Sequence, residues 1–366
     1  MAQENKDRNT CSRKDFKKEF AKLISTASIP SSLSQEEGVK IIRELNDFVQ
    51  PHIPEKLFRY RNCSELTFDA FDKDILYAST SDEFNDPYDC LFRYDKEELR
   101  NSIIQALSKE YIFALREYLR SGNGFPVELN SFYTKEFLDY ARSSIKDASD
   151  SVIQNSEAFF SDFRKEFNEN YDKRIDEAVE SVKRNAYIAC FSETIHSVTM
   201  WSHYANFHKG FALEYDLRSL QLRCMQCDKL NQCDKAVIDN LYPVIYDRKR
   251  YEATNYLISS IGKKLGLPIN NPDLLAVTKC QLYKSTQWSY EKEWRLILTL
   301  VKGPPVENFY GIKHIRPTAI YYGTRISPIN RKILHLIAKE KGIQEYQMYI
   351  NDKSYSYTVK FRKYLE

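Results

Sequence analysis

Apolar positions along the chain alternate between two periods, and each change of period marks an element. Val39, Ile41, Ile42, Leu45 and Phe48 recur at helical spacing behind Ser34-Gln-Glu-Glu37, a capping box. Pro51 and Pro54 stop that helix. A shorter set, Phe16, Phe20, Leu23 and Ile24, predicts one surface helix within residues 1–30. Leu57-Phe-Arg-Tyr-Arg61 then alternates, predicting a strand with Phe58 and Tyr60 on one face and Arg59 and Arg61 on the other. Residues 64–72 read as a helical turn carrying Leu66, Phe68 and Phe71, and 74–79 as a second strand.

From about 95 to 184 the period is helical almost throughout, over 95–120, 127–147 and 150–184, with Ser121-Gly-Asn-Gly-Phe-Pro126 as the first turn. The stretches 186–192, 211–216 and 242–247 read as strands, and Pro243 suits an edge or a strand start. Helices are predicted at about 251–265 and 272–286, split by Gly266 to Pro272. Strands follow at 317–323, 346–350 and 356–361, the last two as an antiparallel pair. Ser327 to Lys341 is a helix with Pro328 in its first turn and Gly342 at its end. Roughly ten strands thus surround one long helical insertion. The expected fold is α+β, a mixed, largely antiparallel sheet. The expected organisation is an N-terminal helical segment 1–55, a core of 56–94 and 185–366, and an inserted helical lobe 95–184.

Composition narrows the function. The 366 residues are 42% hydrophobic and 14% aromatic, enough for a sizeable core. Glycine numbers only 10, and neither a G-x-G-x-x-G nor a P-loop occurs, which argues against a glycine-loop nucleotide fold. A formal charge of +3, from 54 basic and 51 acidic residues, is too balanced for nucleic-acid binding by bulk electrostatics, although nucleic acid is not excluded as a partner. No apolar run of about 18 residues is present, so no transmembrane helix is expected. The N-terminus is polar and lacks a signal-peptide core, so the eight cysteines read as reduced thiols of a cytoplasmic protein. Cys224-Met-Gln-Cys227 and Cys233 lack the fourth ligand of a zinc site and read as a polar insertion, so no metal is expected.

The best candidate chemistry lies in Trp288-Ser-Tyr-Glu-Lys-Glu-Trp-Arg-Leu-Ile-Leu298. Read as a strand, alternation puts Trp294, Leu296, Leu298 and Leu300 on one face and Glu291, Glu293, Arg295 and Ile297 on the other. A core strand rarely keeps such charges unless they pair with each other or meet a ligand. Two further stretches are candidates. Asn85-Asp86-Pro87 is turn chemistry whose oxygens also suit a ligand hydroxyl. Thr199 to Gly210, read as a loop between two strands, gathers Trp201, His203, Tyr204, His208 and Lys209 like a pocket rim.

Three blocks, YASTSDEFNDPYD from Tyr77, MWSHYANFHKGFALEYD from Met200 and KSTQWSYEKEWRL from Lys284, resemble the hallmarks of an uncharacterised bacterial domain-of-unknown-function family. Arg59-Tyr60-Arg61 matches that family's opening strand, and the resemblance spans roughly residues 56 to 325. More distantly, the order of Arg59 or Arg61, Ser79-Thr80-Ser81 and Glu291-Lys-Glu293 resembles the ADP-ribosyltransferase fold. That resemblance implies NAD as substrate, consumed by transfer to a macromolecular acceptor or by hydrolysis. It implies cofactor contacts from Arg59, Arg61, Ser79, Asn85, Trp201 and His203, with Tyr88 or Tyr204 stacking on nicotinamide. Glu293 would be the catalytic carboxylate and Glu291 its partner. The competing expectation is a module that binds a nucleotide-like signal or a partner without catalysis. Either would suit a bacterial stress or anti-phage effector. A metal-dependent nuclease is a third class, needing Asp86, Asp89 and Glu293 to converge.

Overall fold

The structure is a computed structural model that describes residues 13–123, 133–155, 157–219, 239–267, 269, 271–299, 307–353 and 355–365. The cysteine-rich segment with Cys224, Cys227 and Cys233 lies outside the described residues, as does Leu300.

In chain order the strands are β1 Leu57–Arg61, β2 Ile75–Ser79, β3 Ala186–Ser192, β4 Phe211–Tyr215, β5 Leu241–Pro243, β6 Ile245–Asp247, β7 Tyr283–Ser285, β8 Glu293–Thr299, β9 Phe309–Lys313, β10 Ala319–Tyr322, β11 Gln344–Ile350 and β12 Val359–Lys363. All but β6 and β7 form one mixed sheet, largely antiparallel, with β10 and β11 its parallel pair. The fold is α+β, as the periods predict. The capping box at Ser34 and Glu37 forms, and Gly342 ends the helix Pro328–Lys341 in the left-handed conformation.

The sheet divides around β3. That strand pairs with β8 along its whole length, from Ala186 opposite Thr299 to Ser192 opposite Glu293. It meets β1 only where Ser192 faces Phe58, and β2 only where Ile188 faces Ser79. β1 continues in full register with β4, and β2 with β9. The two strands therefore leave β3 in diverging directions, and a hollow opens between them. Arg59 spans it, its guanidinium donating to the carbonyl of Tyr77 on β2.

Three cores hold this frame. The largest lies under the sheet, where Phe16 stacks on Trp294 at 6.3 Å and Phe20 on Tyr242 at 5.9 Å. The N-terminal helices thus belong to the sheet's own core. A second core fills the helical lobe, which recruits the helix Thr254–Lys264 and the short helix Ala276–Cys280 in addition to residues up to 184. A third joins Phe58 and Tyr60 of β1 to Trp201 and Tyr321.

Four local expectations are corrected. The predicted strand 242–247 is two short strands, because Val244 donates back to Glu293 and Ile245 turns away to pair with Tyr283. The predicted helix 272–286 ends at Cys280, since Tyr283 to Ser285 are drawn into that parallel pairing. Thr199–Gly210 is not a plain loop, for Val198–Tyr204 is helical and is capped by Ser197. β9 had no counterpart in the alternation, being an exposed edge interrupted by Gly311.

Gly210 sets how closely the helix-turn segment approaches β1. A Cβ there would sit 2.0 Å from the Arg61 carbonyl oxygen, which is backbone and cannot swing aside. Gly210→Ala is expected to cost about 2 kcal/mol or more of unfolding free energy, as overpacking does. Urea denaturation followed by tryptophan fluorescence would measure it; a change under about 0.5 kcal/mol, the size of an ordinary surface substitution, would contradict this packing.

Candidate active site

One face of the hollow is built from buried charge. Lys284 Nζ, on β7, lies 2.6 Å from Glu291 Oε2, 3.0 Å from Glu293 Oε2 and 3.1 Å from Asp89 Oδ2. Arg295 packs beside it, with Nε 2.9 Å from Glu293 Oε1 and Nη2 2.6 Å from Asp89 Oδ2. Its Nη1 donates to the Gln281 carbonyl at 2.7 Å. All five groups are buried, Arg295 completely. Three carboxylates thus meet two cations out of water, an arrangement that holds only when every member is paired.

The two glutamates converge by a route other than strand alternation. Glu291 ends a 3-10 helix, Thr286–Glu291, and is not on the strand as the pattern predicted. Lys292 then adopts φ 47°, and this left-handed residue turns the chain so that Glu291 and Glu293 both face Lys284. Ser192 Oγ fixes the bend by donating to the Glu291 carbonyl at 2.6 Å.

Their protonation differs because their partners differ. Burial, then the nearby Glu293 charge, raise the Glu291 carboxyl to about 7. Glu293 is fully enclosed, which would raise it, but Arg295 and Lys284 hold it well below the usual carboxylate range. Glu293 is therefore a fixed anion, while Glu291 exchanges a proton near neutrality. Tyr204 donates its hydroxyl to Glu291 Oε1, and burial followed by the Glu291 charge pushes that phenol up, keeping it protonated.

The opposite face of the hollow is positive. Arg59 and Arg61 share one side of β1, as alternation predicts, and no carboxylate among the described residues pairs with either. Arg59 Nη1 is buried with no hydrogen-bond partner among the described residues. Desolvation, then Arg61, lower the Arg59 guanidinium to about 9. Two like charges held without a counterion favour an anion between them.

The part of the hollow over the glutamates has a volume of about 350 Å³. Arg59, Arg61, Ser79, Asn85, His203, Tyr204, Glu291 and Glu293 all line it. It opens past Arg59, Arg61, Ser79 and Tyr204 into a groove of about 1000 Å³ that also borders Phe207, Tyr215 and Phe309. Two predicted contacts lie elsewhere. Trp201 is completely buried, its indole donating to the Ile195 carbonyl at 2.8 Å and its ring edge-on to Tyr60, so it packs and does not line the hollow. Tyr88 is 63% exposed and borders a different pocket. Sequence reasoning passed over Lys284, although it sits in a block singled out for resemblance, and raised Asp89 only as a carboxylate for a metal. Asp89 and Glu293 do converge, but on Lys284 and Arg295, with Asp86 apart from them.

The fold and site thus define an α+β protein with a polar, charge-separated cavity at a split in its sheet. Residues 200–296 match the family described as "Protein of unknown function (DUF2971)". The matched span carries Tyr204, Lys284, Glu291, Glu293 and Arg295, most of the charge network, while Arg59, Arg61 and Asp89 precede it. No curated protein and no solved structure matches the chain. No helix among the described residues is long and apolar enough to cross a membrane.

Replacing Arg295 by Leu strips the buried Asp89 and Glu293 of a cation. The loss expected is about 3–5 kcal/mol of stability, read by urea denaturation. A loss below 1 kcal/mol would show that Lys284 alone satisfies the three carboxylates.

Proposed function

We propose that the hollow binds NAD and that the protein is an ADP-ribosyltransferase-like enzyme, moving ADP-ribose to an acceptor or to water. The observation that supports this most is the division of charge. Arg59 and Arg61, with no carboxylate partner among the described residues, line both a cavity floored by Glu291 and Glu293 and a larger adjoining groove. A dinucleotide has that layout. Its diphosphate suits the two guanidiniums, a ribosyl-nicotinamide the inner cavity, and adenosine the outer groove.

The chemistry follows from the protonation states. When the C1′–N bond breaks, nicotinamide leaves with the bonding electrons and positive charge develops on the ribose. Glu293, itself buried and held ionised by Arg295 and Lys284, supplies a fixed negative field at the cavity floor. The attacking acceptor must shed a proton as its bond to C1′ forms. Glu291 is the group poised to take it, because its carboxyl titrates near 7. This reverses the roles that the resemblance implies, making Glu291 the proton acceptor and Glu293 the electrostatic partner. Tyr204 orients the Glu291 carboxylate.

A binding module without catalysis is the second reading. It is favoured by one specific feature: both carboxylates are already engaged by Lys284 and Arg295. Turnover separates the two. Purified protein with NAD should release nicotinamide, with a rate rising through about pH 7 as Glu291 loses its proton. Glu291→Gln should lower kcat about 100-fold or more and abolish that pH dependence. Arg61→Ala should chiefly raise KM. No nicotinamide release from any preparation, or equal rates for wild type and Glu291→Gln, would overturn the enzyme reading.

A further inference from the structure

Lys284 is the wall between two cavities. Its ammonium faces the carboxylates on one side, and on the other it lies 5.2 Å from the centre of the Trp288 ring. That ring lines a second pocket of about 310 Å³. Three features of this pocket are unexplained by the site already described.

The first is an orphan acceptor. Asp86 lines the pocket and is only 7% exposed. Its Oδ1 accepts the Tyr88 backbone N–H at 2.9 Å, but Oδ2 is buried with no partner among the described residues. A buried carboxylate oxygen without a donor is costly unless a ligand completes it. The second is a set of aromatic surfaces. Tyr88, Tyr283 and Trp288 border the same space, and Tyr88 exposes a large apolar ring to solvent. The third is charge at the mouth. Arg248 and Lys249, in the loop after β6, are exposed and have no carboxylate partner among the described residues. The nearest acid in that loop, Asp247, uses Oδ1 to accept the Lys249 backbone N–H at 2.9 Å.

We infer that this pocket is a second nucleotide site, in which a base stacks on Tyr88 and Trp288, offers an N–H to Asp86 Oδ2, and carries its phosphate to Arg248 and Lys249. Each element answers one need. Stacking rewards a flat ring, the lone acceptor demands a donor on its edge, and the guanidinium and ammonium take the anion. The volume is at the small end for ligand pockets and suits a mononucleotide or one nucleotide of a strand, not a dinucleotide. The inference does not rest on NAD use at the first cavity, and its failure would leave that reading untouched.

Trp288 supplies the readout. The chain has 3 tryptophans, and Trp201 and Trp294 are completely buried, so quenching by a stacked base reports on Trp288. AMP, CMP and a single-stranded oligonucleotide of twelve adenines are titrated into the full-length protein, with phenyl phosphate as an aromatic phosphate lacking the N–H. Saturable quenching by the nucleotides, at least ten-fold tighter than by phenyl phosphate, supports the site. Tighter binding by the oligonucleotide than by AMP identifies a strand as the source; equal binding identifies the free nucleotide.

Tyr88→Ala, at an exposed position that leaves the fold intact, should weaken binding about ten-fold. Arg248→Ser with Lys249→Ser should flatten the salt dependence. Asp86→Asn is the sharpest variant. The Tyr88 N–H keeps the amide oxygen, so the amide nitrogen replaces Oδ2 and faces the base N–H donor to donor. Binding should fall while circular dichroism stays unchanged. No saturable quenching, phenyl phosphate binding as tightly as AMP, or an Asp86→Asn protein that binds like wild type would overturn the inference.

Discussion

The ion network of Asp89, Lys284, Glu291, Glu293 and Arg295 is the constraint on which the rest depends. Its members come from the turn at Asp89 and, far downstream, from a short strand, a 3-10 helix and a long strand that follow one another within residues 284–295. Burying them is expensive, and only mutual pairing offsets the desolvation. The cost is also a means of selection. A fold that misplaced β7 or the turn around Asp89 would leave a charge alone in the core. The network therefore ties the local geometry of these four elements to one arrangement, and that arrangement floors the cavity.

The second ingredient is the split in the sheet. Strands that remain paired fill their neighbours' hydrogen bonds, whereas β1 and β2 touch β3 at single residues and then part. The carbonyl of Tyr77 is satisfied by Arg59 in place of a strand. A backbone group left over by the divergence thus anchors a side chain that faces the hollow. Positive charge is fixed on one wall, negative charge on the other, and the separation is set by the sheet.

Much of the frame was legible from residue patterns, and the reasons are local. Alternation assigned Phe58 and Tyr60 to one face of β1 and the arginines to the other because a strand has only two faces. The capping box and the Pro328/Gly342 pair carry their own stop and start chemistry. What escaped was set by distant partners. Glu291 and Glu293 were chosen for their spacing, yet they meet through a left-handed residue that spacing does not reveal. Lys284 and Asp89 became site residues only through contacts with residues on other elements. Trp201 shared a rich segment with His203 and Tyr204, but one turn of helix separates a packed indole from a lining phenol.

The central claim is that an anionic nucleotide lies between the β1 arginines and the glutamate floor. Calorimetric titration of NAD into wild type and into Arg59→Gln tests it most directly, because that change removes charge at the cavity wall and leaves the ion network alone. The account predicts one saturable site per chain in wild type and at least a ten-fold weaker one in the variant. Absence of binding to wild type, or equal affinity in both, would contradict it.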